Sequence, residues 1–316
     1  MQPQDRLETL KSLLSDLRGL VVAFSGGVDS TFLAAVAHQV LGDRMLAVTA
    51  RSETYPSSEA EEAAQLAKQL GFRHRFINTS ELGIVGYAEN PPNRCFYCKS
   101  ELFGKLIEIA REEGLDFVAD GANADDTHDF RPGMEAAAAL GVRSPLKEAG
   151  LTKAEIRALS REMGLPTWNK PAFACLASRF PYGTKITAER LAMVEAAEEF
   201  LRSQGIRLAR VRHHPVSAEI VGRGFQTPPN EEIPAGIGVP ALQGQEASRR
   251  RRGYGDQDSC PTDRAMARIE VAAEDIPRFL DEDFRRKVID KLKEIGYLYV
   301  TLDLQGYRSG SMNEGL

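Results

Sequence analysis

No run in this chain approaches the roughly 18 apolar residues that a membrane-spanning helix needs, so a transmembrane architecture is excluded. The opening stretch, MQPQDRLETLKSLLSDL, carries acidic residues at helical spacing and no continuous apolar core. It predicts neither a secretory leader nor a membrane start, and a cytoplasmic protein is the expectation. Cysteine is scarce, with four in 316 residues. In a cytoplasmic chain that suggests metal or catalytic work rather than a disulfide framework. Positive charge is not in surplus either: 40 Lys and Arg stand against 45 Asp and Glu, a formal net charge of −5. A broad nucleic-acid surface needs clustered cations, so no nucleic-acid partner is expected. No Gly-Lys-Ser/Thr follows a glycine-rich turn, which removes the Walker phosphate loop.

What is present is the composition of an ordinary globular protein, 42% hydrophobic and 27% charged. Its length suits two domains or one enlarged domain. Over the first 170 residues, short apolar runs alternate with helical patterns. Strands are predicted at Leu20–Phe24, Met45–Thr49, Arg73–Asn78 and Phe117–Ala119, and helices at Thr31–Leu41, Ser58–Leu70 and Ser100–Glu113. Such alternation predicts an α/β fold with a parallel sheet flanked by helices, whose ligands sit at the carboxyl ends of the strands.

Beyond Thr152, where Thr152-Lys153-Ala154-Glu155 reads as a capping box, the character changes. A proline-punctuated loop over Leu165–Gly183 leads to a helix at Ala188–Ser203. Strands follow at Ile206–Val211, Ala267–Val271 and Tyr297–Leu304, with a helix at Asp283–Ile295 between the last two. This predicts a smaller α+β lobe with an antiparallel sheet, dividing the chain into residues 1–170 and 171–316. Residues 215–264, rich in Pro, Gly and Gln and holding Arg249–Arg252, read as an irregular, solvated insertion.

The strongest motif is Ser25-Gly26-Gly27-Val28-Asp29-Ser30, between a buried strand and a helix. Two glycines allow a tight turn with bare backbone N–H groups, and the helix N-terminus adds partial positive charge. That is a cradle for pyrophosphate, to which Ser25 and Ser30 add hydroxyls. It resembles the SGGxDS motif of PP-loop ATP pyrophosphatases, which split ATP between its α- and β-phosphates. ATP with Mg²⁺ is the cofactor pair this implies, and Asp125 and Asp126, after the fourth strand, supply carboxylates at the expected edge. Asp129-Phe130-Arg131 follows with an arginine.

Cys95 and Cys98 stand three apart, just ahead of a predicted helix, and Cys175 lies in a loop far downstream. Cys260 falls in the irregular insertion and reads as incidental. The pair alone fits half a zinc site, a redox switch handing on sulfur, or two ligands of an iron–sulfur cluster.

Taken together, SGGVDSTFLA, NRCFYCKSELF, DGANADDTHDFRPG, CLASRFPYGTKIT, RVRHH and YVTLDLQGYRSGSMNE resemble the LarE family over nearly the whole chain except 215–264. The resemblance implies an ATP-dependent sulfur transferase that adenylates the carboxylates of pyridinium-3,5-biscarboxylate mononucleotide. It converts them to thiocarboxylates on the way to the nickel-pincer nucleotide of lactate racemase. One branch of that family sacrifices the sulfur of a lone cysteine at the position of Cys175. In the other, three cysteines hold a 4Fe–4S cluster, and Cys95, Cys98 and Cys175 match this second branch. Three thiolates leave one coordination position open, as a working rather than a structural site requires. Arg210 and Arg212, alternating on one strand, and Arg179 match substrate-phosphate contacts, and Glu270 an acidic residue near the site. The resemblance also implies sulfide or another sulfur donor, and a homo-oligomer. The rival readings are a tRNA thiolase, disfavoured by the acidic charge, and an ammonia-using PP-loop synthetase, which gives the cysteines no purpose.

Overall fold

Each short apolar run is followed by a helix that carries the chain back over the sheet, and this makes successive strands parallel. The computed structural model describes residues 2–128, 132–171, 174–216 and 264–308. In it β1 (Leu20–Ala23), β2 (Met45–Arg51), β3 (His74–Asn78) and β4 (Phe117–Ala119) form one sheet of order β3-β2-β1-β4. All its pairings are parallel. Leu20, Val21 and Val22 are wholly buried, as an inner strand covered on both faces demands. Sequence neighbours leave β1 in opposite directions across the sheet, so its carboxyl end is a topological switch point.

One face of the sheet is packed by α1 (Pro3–Ser15), α2 (Val28–Leu41), α3 (Ser57–Gln69), α6 (Pro145–Glu148) and α7 (Lys153–Glu162), around Leu10, Leu14, Phe32 and Leu33. The other is covered by α4 (Arg94–Glu112) and α5 (Pro132–Ala139), where Phe103, Leu106 and Ile109 meet Val21 and Val48. Burying each such side chain stabilises the fold by about 2 kcal/mol. The capping box of α7 forms as its sequence predicts, with Thr152 accepting from the Glu155 amide and Glu155 accepting from the Thr152 amide at 2.9 Å.

The second lobe contains α8 (Ala188–Ser203), β5 (Ala209–Pro215), β6 (Ala265–Val271), α9 (Glu282–Ile295) and β7 (Tyr299–Leu302), with sheet order β5-β6-β7. The antiparallel expectation holds for β5 and β6 only, because β7 runs parallel to β6. The reason is α9, a crossover helix that returns the chain to the same end of the sheet before β7 begins. Ile206 lies outside β5: Gly205 takes a φ of +85°, and the Ile206 amide bonds back to Leu201 to close α8. Arg249–Arg252, Cys260 and Asp129-Phe130-Arg131 lie outside the described residues. Among the described residues no helix is long and apolar enough to cross a membrane.

His74 opens β3 with its Nε2 atom 2.9 Å from Thr49 Oγ1. Thr49 gives its only hydroxyl proton to the Phe24 carbonyl at 2.7 Å, so the imidazole donates through Nε2. Burial, followed by the charge of Arg51, lowers the His74 pKa below its ordinary 6.5. The unfolded chain therefore takes up this proton before the folded one does. The stabilisation is complete above the unfolded value of 6.5 and is lost as the pH falls below it. Thermal denaturation should show stability falling from about pH 7 to about pH 5, with a shallower fall in His74→Gln.

Candidate functional site

The nucleotide loop begins where β1 ends. Gly26 adopts a φ of +64°, and a Cβ there would stand 3.0 Å from the Cβ of Ala63, so any side chain would push the loop off α3. Gly27 caps α2, and the Ser25 and Ser30 hydroxyls lie 3.1 Å apart beneath the turn. Ser30 also accepts from the Ser25 amide at 3.3 Å. The outcome is a preformed loop whose amides open at a helix N-terminus, the geometry an anionic phosphate recognises.

Asp29 points to the loop after β4. Its carboxylate pairs with Lys153 and accepts from Asn123 Nδ2 at 3.4 Å. Asp125 accepts from the Lys153 amide at 2.8 Å, and Asp126 from the Asn123 amide at 2.9 Å. Both carboxylates thus serve the loop and the start of α7 as well as facing the site's edge. Gly121 permits this approach, since a Cβ there would come within 3.1 Å of the Ser30 amide nitrogen. Lys153 went unnoticed in the sequence because it looked like an ordinary first-turn residue of a capped helix. Only the fold brings it to Asp29, across 124 positions of the chain.

The cysteines differ from expectation in one respect. Helix α4 starts at Arg94 rather than Ser100, so Cys95 and Cys98 lie in its first turns, on one face. The cause is Pro91-Pro92, which ends the preceding turn, with the Arg94 amide closing onto the Pro91 carbonyl at 3.0 Å. Cys175 heads the short helix Leu176–Arg179, and its carbonyl accepts from Ser178 Oγ at 2.8 Å and Arg179 Nη1 at 2.9 Å.

Asn90 brings the segments together. Wholly buried and at a φ of 55°, it donates to the carbonyls of Phe180 and Pro181 and accepts from Arg94 Nη1 at 3.0 Å. The turn before Cys95 is thereby joined to the chain after Cys175. Asparagine is among the few residues that accept this backbone conformation.

Cys95, Cys98 and Cys175 are all free thiols. Burial pushes Cys98 up to about 12, against the pull of Lys99, with Glu81 and the other two thiols adding to the rise. The protein around Cys95 raises its pKa as well, and Cys175 contributes, against Arg94 and Lys99. The thiols therefore lie within electrostatic reach of one another. Among the described residues, no set of three or more His, Cys, Asp or Glu side chains closes on a single metal ion. Two further residues in this pocket carried no local signal in the sequence. Glu81, buried, accepts from Thr54 Oγ1 at 3.2 Å, Thr79 Oγ1 at 3.0 Å and Cys98 Sγ at 3.9 Å. Tyr87, buried beside it, has its phenol pKa raised by burial and then by Cys175, Cys98 and Glu81.

Behind the Cys175 loop lies a layer of buried arginines. Arg179 and Glu198 are fully buried and form a bidentate pair at 2.8 and 2.9 Å. Arg179 also donates to the Ala174 and Cys175 carbonyls, so its guanidinium is engaged by the loop it belongs to. Arg212 spans from the Ser178 carbonyl at 3.1 Å to Glu270 at 2.6 Å. Arg210 donates to the Ala209 carbonyl and stacks over Tyr307 at 5.6 Å. Burial and the neighbouring Arg179 lower the Arg210 pKa. Glu198→Ala would leave Arg179 charged and uncompensated, at a cost of about 3–5 kcal/mol in denaturant unfolding. Removing the exposed Glu8–Lys11 pair should cost under about 1 kcal/mol.

A family model described as NAD synthase matches residues 6–87, the part that contains the nucleotide loop. The chain is 37% identical to an uncharacterised protein of Synechocystis, over 99% of this chain and 98% of that one. It is 36% identical to the pyridinium-3,5-bisthiocarboxylic acid mononucleotide synthase of Lactiplantibacillus plantarum, over 98% of this chain and 94% of the synthase. Similarity to a tRNA-specific 2-thiouridylase of Thermosynechococcus vestitus, at 31%, covers only 50% of this chain and 52% of that enzyme. Likeness to the synthase does not stop with the nucleotide loop but continues through the cysteines and the second lobe, and on that ground the chain belongs to the PP-loop family of pyridinium-3,5-bisthiocarboxylic acid mononucleotide synthases.

Proposed function

We propose that this protein is an ATP-dependent sulfur transferase that converts the carboxylates of pyridinium-3,5-biscarboxylate mononucleotide to thiocarboxylates, in formation of the nickel-pincer cofactor of lactate racemase. The observation that carries the reading is a single turn, Ser52–Pro56, bonded at once to the nucleotide loop and to the residue after Cys175. Activation and sulfur delivery are thereby adjacent.

In the first half-reaction a substrate carboxylate oxygen attacks the α-phosphorus of ATP, and the bond to pyrophosphate breaks. Ser25, Gly26, Gly27 and Ser30 hold the phosphates, with the loop's amides stabilising the charge that develops on the leaving group. Asp29, Asp125 and Asp126 are the carboxylates available to Mg²⁺, and Lys153 holds Asp29 in place. In the second half-reaction a sulfur nucleophile attacks the activated carbonyl carbon, the bond to AMP breaks, and a thiocarboxylate remains. Arg210 and Arg212 anchor the substrate phosphate, with Glu270 fixing Arg212. Arg179 holds the Cys175 loop from behind.

Cys95, Cys98 and Cys175, three free thiols within electrostatic reach of one another, are the residues that would hold a 4Fe–4S cluster in this reading. When bound, that group supplies a sulfide nucleophile that sulfide or another donor can replace. Residues 1–170 then form the ATP pyrophosphatase unit and residues 171–316 the sulfur-transfer lobe of a homo-oligomer.

With ATP, sulfide and the biscarboxylate nucleotide, the enzyme should release AMP and pyrophosphate and yield a product with sulfur in place of carboxylate oxygen. Release of ADP instead would overturn the reading. Anaerobically isolated protein should hold about four iron per chain. Cys95→Ala should lose that iron and multiple-turnover sulfur transfer, yet still form AMP. Multiple turnover in an iron-free Cys95→Ala protein would refute the cluster, and loss of H₂S from Cys175 on mass spectrometry would identify a sacrificed side chain.

A further inference from the structure

The turn after β2 touches both halves of the site through adjacent residues. Tyr55 Oη donates to the Ser25 carbonyl at 2.8 Å, inside the nucleotide loop. The Thr54 carbonyl accepts from the Leu176 amide at 2.8 Å, one residue beyond Cys175. Thr54 Oγ1 donates to Glu81 at 3.2 Å, and Glu81 accepts from Cys98. Two hydrogen bonds, the Tyr55 side chain and the Thr54–Tyr55 peptide unit therefore separate the phosphate loop from the Cys175 loop.

This turn has little freedom to absorb a displacement. Thr54 and Pro56 are buried, and the Tyr55 amide bonds to the Ser52 carbonyl at 3.2 Å. The Thr54 and Ser52 hydroxyls lie 3.1 Å apart. On its far side, Ser57 donates through both amide and hydroxyl to Glu195 of α8, at 2.9 and 3.1 Å. The Tyr55 phenol is protonated, and so a donor, at neutral pH, and burial and then Glu59 and Glu62 raise its pKa further. Any displacement of the Ser25 peptide when a nucleotide occupies the loop therefore has a hydrogen-bonded route to Leu176. Packed, hydrogen-bonded elements of this kind transmit small displacements between sites.

We infer that the Ser52–Pro56 turn couples nucleotide binding to the placement of the Cys175 loop, with Tyr55 as the positioning residue. The inference rests on the nucleotide loop being the ATP site.

Hydrogen–deuterium exchange of the full-length chain, with and without ATP and Mg²⁺, reads the far end of the link in the peptide containing Leu176–Arg179. ATP should slow exchange there by about fivefold or more. Tyr55→Phe should abolish that change while keeping ATP affinity within about tenfold of the parent, the range one hydrogen bond accounts for. Thr54→Val keeps the carbonyl that holds Leu176, so its ATP effect in this peptide should persist. In turnover, Tyr55→Phe should slow sulfur transfer more than AMP formation. If ATP binds the parent chain without changing exchange at Leu176–Arg179, or if Tyr55→Phe keeps the full effect, the coupling is overturned and the function proposed above is untouched. Faster exchange throughout β2 and α3 of nucleotide-free Tyr55→Phe would reveal a merely structural role, and would also overturn it. A parent chain that fails to bind ATP would overturn the ATP site and the coupling together.

Discussion

The buried pair of Arg179 and Glu198 is the interaction on which the cysteine lobe depends. Neither side chain reaches solvent, so each charge leans on the other, with Arg202 also 4.0 Å from Glu198. Glu198 belongs to α8, and it also accepts from the Val211 amide of β5 at 3.0 Å. Arg179 closes the Cys175 loop by binding its carbonyls. One ion pair thus fixes a helix, a strand and the Cys175 loop relative to one another. A buried ion pair is weak evidence of added stability, and here it holds the backbone of the loop that carries Cys175.

Desolvation acts differently on the two halves of the site. At the nucleotide loop Ser25 is exposed and Gly27 and Asp29 are half-buried, so the turn is open to solvent at its tip. Around the cysteines the protein closes in: Tyr87, Leu176 and Phe180 pack against Cys98 and Cys175, and burial raises Cys98 to about 12. The Cys98 thiol is therefore a poor nucleophile as it stands, because the thiolate is the reactive form.

Much of the fold was legible along the chain because its signals are local. The apolar runs at Leu20 and Met45, the glycine pair at Gly26-Gly27 and the capping box at Thr152 each specify their structure within a few residues. An element boundary and a strand direction departed from expectation. Cys95 and Cys98 joined α4 because a proline pair ended the turn before them, and β7 became parallel because α9 crosses over. Lys153, Glu81, Tyr87 and Asn90 gave no signal, since each acts through a partner tens of residues away or through burial.

By itself, then, the sequence determined the nucleotide loop, the parallel sheet beneath it and the identity of the thiols, all consequences of residue type at short spacing. Only the tertiary structure decided that Cys175 comes within electrostatic reach of Cys98 and that one turn is bonded to both the nucleotide loop and the Cys175 loop. Those relations depend on buried partners such as Asn90 and the Arg179–Glu198 pair, whose hydrogen bonds join segments that periodicity treats as unrelated. A motif can be read from its neighbours in sequence, but a distance across the fold is set by what becomes desolvated between its ends.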